Sequence, residues 1–461
     1  MWSVVFLAVL LVAGAVADDS NPCAAQGGSP YDYKQALCMG ILFYDAQRSG
    51  PLDGSERFDW RGDSALGDGS DNGLDLTGGY YDAGDHVKFG FPMAYSVTVL
   101  SWGLLSYRAG YEAAGQVTAA ENAIRFGTDY FLKAHSASMT LWGQVGDGNA
   151  DHAYWGRPED MTMARPSWKI DTNAPGSDLA GETAAALAAA SIVFYNSDNA
   201  YSVRLLDAAK DLFAFADQHR GKYSDSIPAA ANFYQSFSGY QDELVWSAVW
   251  LYKATGDQTY ADKAKSFWDQ FGTGQSGYGF GWDNKNSGAM VLMAEEFGGQ
   301  YTSALQSFMN DIRGFPTTPG GMVFIDQWGS LRQALNVAFI GFKAADLGID
   351  SSTNRAWAAR QVDYALGSVG HSYVVGFGNN PPLRPHHRSS SCPYPPTSCT
   401  DGWAQSQSGP NPHTLYGAVV GGPDQNDGYT DDRNDYVKNE VACDYNAAFT
   451  GDLAAMIVNN L

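Results

Sequence analysis

Apolar residues recur every three or four positions along much of the chain. In residues 178–195 and 331–348 this spacing matches the 3.6-residue period of an α-helix. The segments 255–257 (TGD) and 347–350 (LGID) resemble helix ends that are followed by new helix starts. Comparable stretches predict about twelve helices, which begin near residues 33, 93, 117, 178, 201, 238, 257, 286, 300, 328, 353 and 444.

Strand-like alternation is scarce, and residues 372–378 (SYVVGFG) give its best short example. About twelve helices joined mostly by short turns predict an all-α protein of paired helices. An (α/α)6 barrel, with an inner and an outer ring of helices, uses that number, although the period leaves closure of the ring open. Three long irregular segments, 49–92, 140–177 and 367–440, interrupt the helices. Since loops of that length are usually functional, we expect the site there.

The N-terminal segment is apolar and uncharged, and it ends in Ala15-Val16-Ala17 before Asp18. This pattern predicts a secretory signal peptide cleaved after Ala17. As a membrane anchor the segment is short, because a spanning helix needs about 20 apolar residues. No linker rich in Ser, Thr or Pro divides the remainder. We therefore expect residues 18–461 to form a single secreted domain.

The charge balance restricts the partners that the chain can bind. The 461 residues include 28 basic and 50 acidic side chains, which give a formal net charge of −22. Such a surface repels nucleic acid and anionic membranes, so we expect neither as a partner, and nothing requires more than a monomer. Aromatic residues make up 13% of the chain, and their ring faces can stack on sugars as well as fill a core.

Five cysteines are too few to be the main source of stability. Cys392 and Cys399 could close a small loop, and Cys23 and Cys38 could form a second bridge. Cys443 would then remain as a buried apolar residue.

The first motif, GGYYDAGDHVKFGFPMA (78–94), places Asp82 and Asp85 around Gly84. A tight turn there would point both carboxylates to one side, where one could take a proton from a water that the other orients. An Asx turn or a cation site is the alternative interpretation.

The second motif, SYVVGFGNNPPLRPHHRSS (372–390), presents His386, His387 and Arg388 on a Pro-rich loop. Adjacent side chains of an extended chain point apart, so His386 and His387 would not readily bind one metal ion. Hydrogen bonding to sugar hydroxyls is the simpler interpretation.

The third motif, YTDDRNDYVKNEVACDYNAAFTG (429–451), places Glu440 at the expected start of the last helix, after a loop with Asp431, Asp432 and Asp435. Negative charge and burial would raise the proton affinity of one carboxyl, as a general acid requires. An acidic loop that only caps a helix is the alternative.

Together the motifs resemble glycoside hydrolase family nine over about residues 31–461. In the third motif the matching positions are Tyr429, Asp431, Tyr436, Glu440, Ala442, Asn446 and Ala447. In the second they run from Ser372 through Gly378 and Asn380 to Pro385, His386 and Arg388. DAGD (82–85) matches the segment that holds the attacking water in that family.

The resemblance implies that Glu440 protonates the leaving oxygen and that Asp85 deprotonates a water, with help from Asp82. The two carboxyls of such an inverting pair stand roughly 6.5–9.5 Å apart. Asp431 would support the acid's loop or the sugar, or be purely structural. The resemblance further implies that the cleft is lined by His152, Trp155, Trp328, His386, Arg388 and Tyr445.

The resemblance also implies a structural calcium ion near SGYQDE (238–243) and no organic cofactor. Its ligands would be carbonyls and carboxylates of Ser238, Gly239, Asp242, Glu243 and Asp283, which are the hard oxygen donors that calcium prefers. A helix capped by Ser238 is the alternative.

The predicted function is a secreted, inverting endo-β-1,4-glucanase that cleaves internal bonds of cellulose and related β-glucans. The sequence lacks the G-x-S-x-G and H-E-x-x-H motifs of serine and zinc hydrolases. A hydrolase of related β-glucans or glucosamine polymers, or a non-catalytic carbohydrate-binding relative, remains an alternative on the same scaffold.

Overall fold

The computed structural model describes residues 20–275 and 278–461. The predicted signal peptide and its cleavage site lie outside these residues. Within them, twelve long helices account for most of the structure. They are α1 (Tyr33–Ala46), α2 (Gly90–Ser106), α4 (Val117–Ala134), α6 (Ser177–Phe194), α7 (Asn199–Gln218), α9 (Gln241–Thr255), α10 (Gln258–Phe271), α11 (Asn286–Phe297), α12 (Gln300–Arg313), α13 (Ser330–Asp346), α14 (Ser351–Leu366) and α18 (Cys443–Val458).

Six of these helices close into an inner ring. The order of packing is α2, α6, α9, α11, α13, α18 and back to α2. The other six pack outside, each mainly against one inner helix: α4 on α2, α7 on α6, α10 on α9, α12 on α11, α14 on α13 and α1 on α18. The predicted (α/α)6 barrel of about twelve helices is therefore confirmed.

The two rings differ in how much of each helix is buried. In inner helix α6 every residue except Ile192 is buried, whereas outer helix α10 buries only Ala261, Ala264, Phe267 and Trp268. The alanine-rich sequence of α6 suits this position, because small side chains allow helices to approach on all sides. Among the described residues, α6 alone is long and apolar enough to span a bilayer, but 94% of that stretch is buried inside the protein.

Six short helices lie in the connecting segments of the described chain. They are α3 (Arg108–Ala113), α5 (Gly148–His152), α8 (Tyr223–Ser226), α15 (Arg388–Ser391), α16 (Asp401–Ser406) and α17 (Tyr436–Asn439).

The prediction of a strand at 372–378 is wrong. Only Val374 forms a bridge there, to Val419, and Gly376 and Gly378 adopt positive φ angles that turn the chain. Instead, an antiparallel sheet of β1 (Lys88–Phe89), β2 (Leu141–Val145) and β3 (Ser167–Ile170) stands in the order β1-β2-β3. Sequence alternation did not indicate it, since β1 has two residues and β2 is buried on both faces.

The cysteine pairing agrees with the interpretation of the sequence. Cys23 and Cys38 form one disulfide, Cys392 and Cys399 form another, and Cys443 is free and buried. The second bridge ties down the segment that follows α15.

Candidate active site

Asp82 and Asp85 lie in the loop between α1 and α2, next to the loop that carries His386. Gly84 makes this contact possible, because a Cβ atom there would lie 2.1 Å from the carbonyl oxygen of His386. The backbone N–H of Arg388 donates to the carbonyl of Gly84 at 3.0 Å. The aspartate loop and the histidine loop are thus locked together.

Asp82 is almost fully buried, at 4% exposure. Its Oδ2 accepts a hydrogen bond from the hydroxyl of Tyr234, while its Oδ1 accepts none from the described protein. Burial first, and then the negative charge of Asp85, raise the pKa of Asp82 well above its usual value. The free oxygen and the fixed orientation suit a carboxyl that helps to hold a water.

Asp85 is also largely buried, at 8% exposure. The Nε2 of His152 lies 3.4 Å from its Oδ2, and the His152 side chain is 47% exposed. The hydrogen bond to Asp85 raises the pKa of His152. His152 therefore lies at the mouth of the site beside Asp85.

The prediction that Glu440 lies at the start of the last helix is wrong. The short helix α17 ends at Asn439, Glu440 follows in extended backbone, and α18 starts only at Cys443. In this extended segment Glu440 forms a parallel bridge with His386. This pairing fixes the acid beside the histidine loop.

Two donors hold the Glu440 carboxyl. Its Oε2 accepts from the Nε1 of Trp328 at 2.8 Å and from the hydroxyl of Tyr445 at 3.0 Å. Burial raises the pKa of Glu440 to about 7; the charge of Asp85 adds to this rise, and the two hydrogen bonds oppose it. A carboxyl with that pKa can carry a proton near neutral pH and release it.

The two adjacent histidines differ in role. His386 Nδ1 lies 2.7 Å from the carbonyl oxygen of Arg433, which can only accept, so Nδ1 carries the proton and Nε2 the lone pair. Burial lowers the pKa of His386 to about 4, which keeps it neutral. His387 is buried, contacts Gln47, and caps α15 by accepting from the N–H of Ser390.

Trp155 and Arg388 stand behind the site surface. The Trp155 ring is 5% exposed, donates to the Oγ of Ser391, and packs edge-on against His386 with centroids 5.0 Å apart. Arg388 is 4% exposed and donates from Nη1 to Asp151 at 2.7 Å. The structure thus places both side chains where they support cleft residues, and their predicted contacts with sugar stay predictions.

Asp431 supports the histidine loop. Its two carboxylate oxygens accept from the backbone N–H groups of Leu383 and Arg384, each at 3.0 Å. Leu383 and Arg384 precede His386 by three and two positions. This arrangement agrees with the structural alternative for Asp431.

Trp328 is the exposed aromatic residue of the predicted set, at 45% exposure, and its ring lies 5.5 Å from that of Tyr436. Tyr445, at 2% exposure, lies beneath Glu440 and acts through its hydroxyl. Of these two predicted residues, Trp328 therefore offers a broad apolar face beside the acid.

The predicted calcium ligands lie at the start of α9 and before α11. Asp283 accepts from the N–H groups of Phe237 and Ser238, and Lys285 lies 3.0 Å from a carboxylate oxygen of buried Glu243. Neither oxygen of Glu243 accepts a hydrogen bond, and burial and the charge of Asp242 raise its pKa. The donors are hard oxygens with surplus negative charge, which fits a divalent cation, although Lys285 offsets part of that charge.

Tyr234 and Asp151 also contribute to the site, and neither was predicted. Tyr234 holds Asp82, and Asp151 has an oxygen within 4.8 Å of the nearest ligand atoms of Asp85 and His152. The Asp151-His152 pair stands in the DHAYWG segment (151–156), where the resemblance drew attention to His152 and Trp155 but not to the acid.

A barrel whose loops bring Glu440, with a pKa near 7, within electrostatic reach of Asp85 has the chemical groups of a water-using hydrolase. Beside an exposed tryptophan, these groups suit a glycoside hydrolase. The model of Glycosyl hydrolase family 9 matches residues 33–453. The chain belongs to that family and is a glycoside hydrolase of the endoglucanase type.

The relatives support this assignment over most of the chain. Endoglucanase B of Cellulomonas fimi is 48% identical over 94% of this chain, and Endoglucanase 4 of Bacillus sp. (strain KSM-522) is 48% identical over 93%. The chain spans 43% of the first relative and 69% of the second.

Solved structures give the same result. An endoglucanase from the termite Nasutitermes takasagoensis superposes with a TM-score of 0.92 at 57% identity, over 94% of this chain and all of that one. The cellulase Cel9M of C. cellulolyticum, solved in complex with cellobiose, gives 0.88 at 40% identity, over 94% and 99% of the two chains.

Proposed function

We propose that the protein is a secreted endo-β-1,4-glucanase that cleaves internal bonds of cellulose and related β-glucans with inversion at the anomeric carbon. The observation that carries the mechanism is the unequal environment of the two carboxyls. The pKa of Glu440 is raised to about 7 and two donors hold one of its oxygens, whereas Asp85 lies beside the exposed imidazole of His152. Such a difference separates an acid from a base.

In the proposed reaction Glu440 gives its proton to the glycosidic oxygen as the bond between that oxygen and the anomeric carbon breaks. A water attacks the carbon from the opposite face and gives a proton to Asp85, while Asp82 orients the water. Tyr234 fixes Asp82 by its hydrogen bond. Afterwards, solvent returns a proton to Glu440 and removes one from Asp85.

Recognition of the glucan would depend on neutral groups. Trp328 offers an exposed ring for stacking on a sugar, and the lone pair on His386 Nε2 can accept from a hydroxyl. A neutral β-1,4-glucan also suits a protein with a net charge of −22. The cellobiose complex of Cel9M supports the same substrate class.

Secretion is the second part of the proposal. The apolar segment that ends at Ala17 and the two disulfides suit an extracellular protein. We further propose that the secreted protein is a monomer without a membrane or nucleic acid partner, because its acidic surface repels copies of itself, phosphates and anionic lipid.

We also propose a structural calcium ion held by Ser238, Gly239, Asp242, Glu243 and Asp283. The support is the set of buried oxygens with surplus negative charge, above all Oε2 of Glu243, which has no hydrogen-bond partner, while Oε1 pairs with Lys285. The ion would join the start of α9 to the segment before α11. It would take no part in the chemical steps.

The glucanase proposal is tested with Glu440→Gln and Asp85→Asn on cellohexaose and a soluble β-glucan. Each variant should lose at least about 100-fold in kcat, the scale of general acid or base catalysis, while oligosaccharide binding by calorimetry persists. Glu112→Gln is the matched control, because it removes an acid that is 59% exposed on α3. Wild-type turnover in either active-site variant would contradict the proposal.

A further inference from the structure

A third buried carboxylate, Asp151, lies next to the Asp85 carboxylate. Asp151 is 1% exposed and belongs to α5, one residue before His152. One of its oxygens, one of Asp85 and a ring nitrogen of His152 all lie within 4.8 Å of one another. Two carboxylates at such a separation repel each other unless one takes up a proton.

Asp151 is held in this position by groups from two other segments. The backbone N–H of His86 donates to both of its oxygens, at 3.2 and 3.3 Å, and Arg388 Nη1 donates to Oδ2 at 2.7 Å. The backbone N–H of Arg388 also donates to the carbonyl of Gly84. Arg388 therefore holds both the turn that carries Asp85 and the carboxylate beside it.

Titratable and charged groups from several segments surround the pair of Asp85 and Asp151. Burial and then the charge of Asp85 raise the pKa of Asp151 to about 6, and Arg388 opposes that rise, so Asp151 is ionised near neutral pH. The other titratable or charged groups that face Asp85 or Asp151 are Asp82, His86, His152, Tyr154, Arg165, His386, Glu440 and Cys443.

We propose that Asp151 is a positioning residue for the base, and that its charge favours the step in which Asp85 takes a proton from the attacking water. Before that step the two carboxylates repel each other; afterwards Asp85 is neutral and the repulsion is gone. The proton passes only from water to Asp85, and Asp151 exchanges none. This inference rests on the proposed function of Asp85.

The test is Asp151→Asn, which keeps an oxygen to accept from Arg388 and His86 but removes the charge. At pH 7, kcat on cellohexaose should fall by up to about tenfold, because the base is weaker. Below about pH 6, where Asp151 of the wild type takes up a proton, the ratio of wild-type to variant kcat should approach one. Glu112→Gln, which makes the same change of net charge at an exposed position of α3, should keep that ratio near one at every pH.

A structural role alone would lower kcat by the same factor at every pH, and that result overturns the proposal. Circular dichroism verifies folding. If Asp151→Asn does not fold, the double variant Asp151→Asn with Arg388→Gln removes both buried charges, and its kcat ratio to the wild type should vary with pH in the same direction by a smaller amount. A ratio that does not vary with pH in the folded variants, with Asp85→Asn inactive, refutes the role of Asp151 alone. Activity retained in Asp85→Asn refutes the proposed function.

Discussion

At the scale of single residues, the protonation state of Glu440 reflects opposing contacts. Burial and the charge of Asp85 favour the neutral acid, while hydrogen bonds from Trp328 and Tyr445 favour the carboxylate. Both donors reach the same oxygen, Oε2. The donors thus keep the pKa of Glu440 near neutrality.

Tyr445→Phe removes one donor and should raise the pKa of Glu440, since the carboxylate loses a stabilising hydrogen bond. The basic limb of the kcat/KM profile, set by loss of the acid's proton, should then move to higher pH by about one unit, because such a bond contributes about 1.5 kcal/mol. Tyr436→Phe is the control: its ring packs against Trp328, while Tyr445 donates to Glu440. An unmoved basic limb in Tyr445→Phe would show that the Tyr445 hydroxyl does not lower the pKa of Glu440.

The resemblance of the motifs to family nine predicted Asp82, Asp85 and Glu440, because each residue stands in a local motif that can be matched; their spacing alone left other interpretations open. They did not predict Tyr234, which lies 152 positions from Asp82 and meets it only in the fold. The same applies to Asp151, whose partner Arg388 is 237 positions away. Contacts between such distant residues depend on how the loops pack in the fold, and a local sequence pattern does not predict them.

At the scale of elements, helices were predictable because their apolar period repeats over three turns or more. Outer helix α10 was expected near 257 and begins at Gln258, directly after its cap Asp257. The strand expected at 372–378 failed, since two glycines with positive φ break the alternation of its valines. Short irregular segments carry too few residues for a period to be decisive.

The proposed calcium ion joins two elements, and its removal should loosen both. Chelation should lower the melting temperature by several degrees, because bound ligand at 100 times its Kd stabilises by about 2.7 kcal/mol. Asp283→Asn should melt lower in calcium and respond less to chelator.

The matched control for calcium is Asp311→Asn, an acid on outer helix α12 outside the ligand set. It should respond to chelator as the wild type does. A wild-type melting temperature that is unchanged at saturating chelator would contradict the calcium site.

At the scale of the whole molecule, the barrel buries several titratable groups, so the free energy of unfolding depends on pH. Burial raises the pKa values of Asp178 and Glu440 to about 7 and of Asp151 to about 6. At these carboxyls the folded state binds more protons than the unfolded state between the ordinary carboxyl pKa and these values, so their contribution to the free energy of unfolding falls as pH rises. Burial lowers the pKa values of His386 and His413 to about 4 and of His387 to about 3, so their contribution rises with pH.

Asp178→Asn, at the buried start of α6, removes one of these carboxyls. Relative to the wild type, its melting temperature should therefore be higher at pH 8 than at pH 5, with calcium present at both. High salt separates this effect from repulsion among the surface charges, which salt screens while buried groups respond little. A difference between variant and wild type that is the same at pH 5 and pH 8 would contradict this account of the buried acids.

The central claim is that Glu440 and Asp85 act on opposite faces of one glycosidic bond with a water between them. Proton NMR of the first products from cellohexaose tests it most directly, because anomers are distinguishable before mutarotation. The new reducing ends should appear first as the α anomer, which requires inversion of a β bond. Initial appearance of the β anomer would contradict the water-mediated mechanism and the roles assigned to both carboxyls.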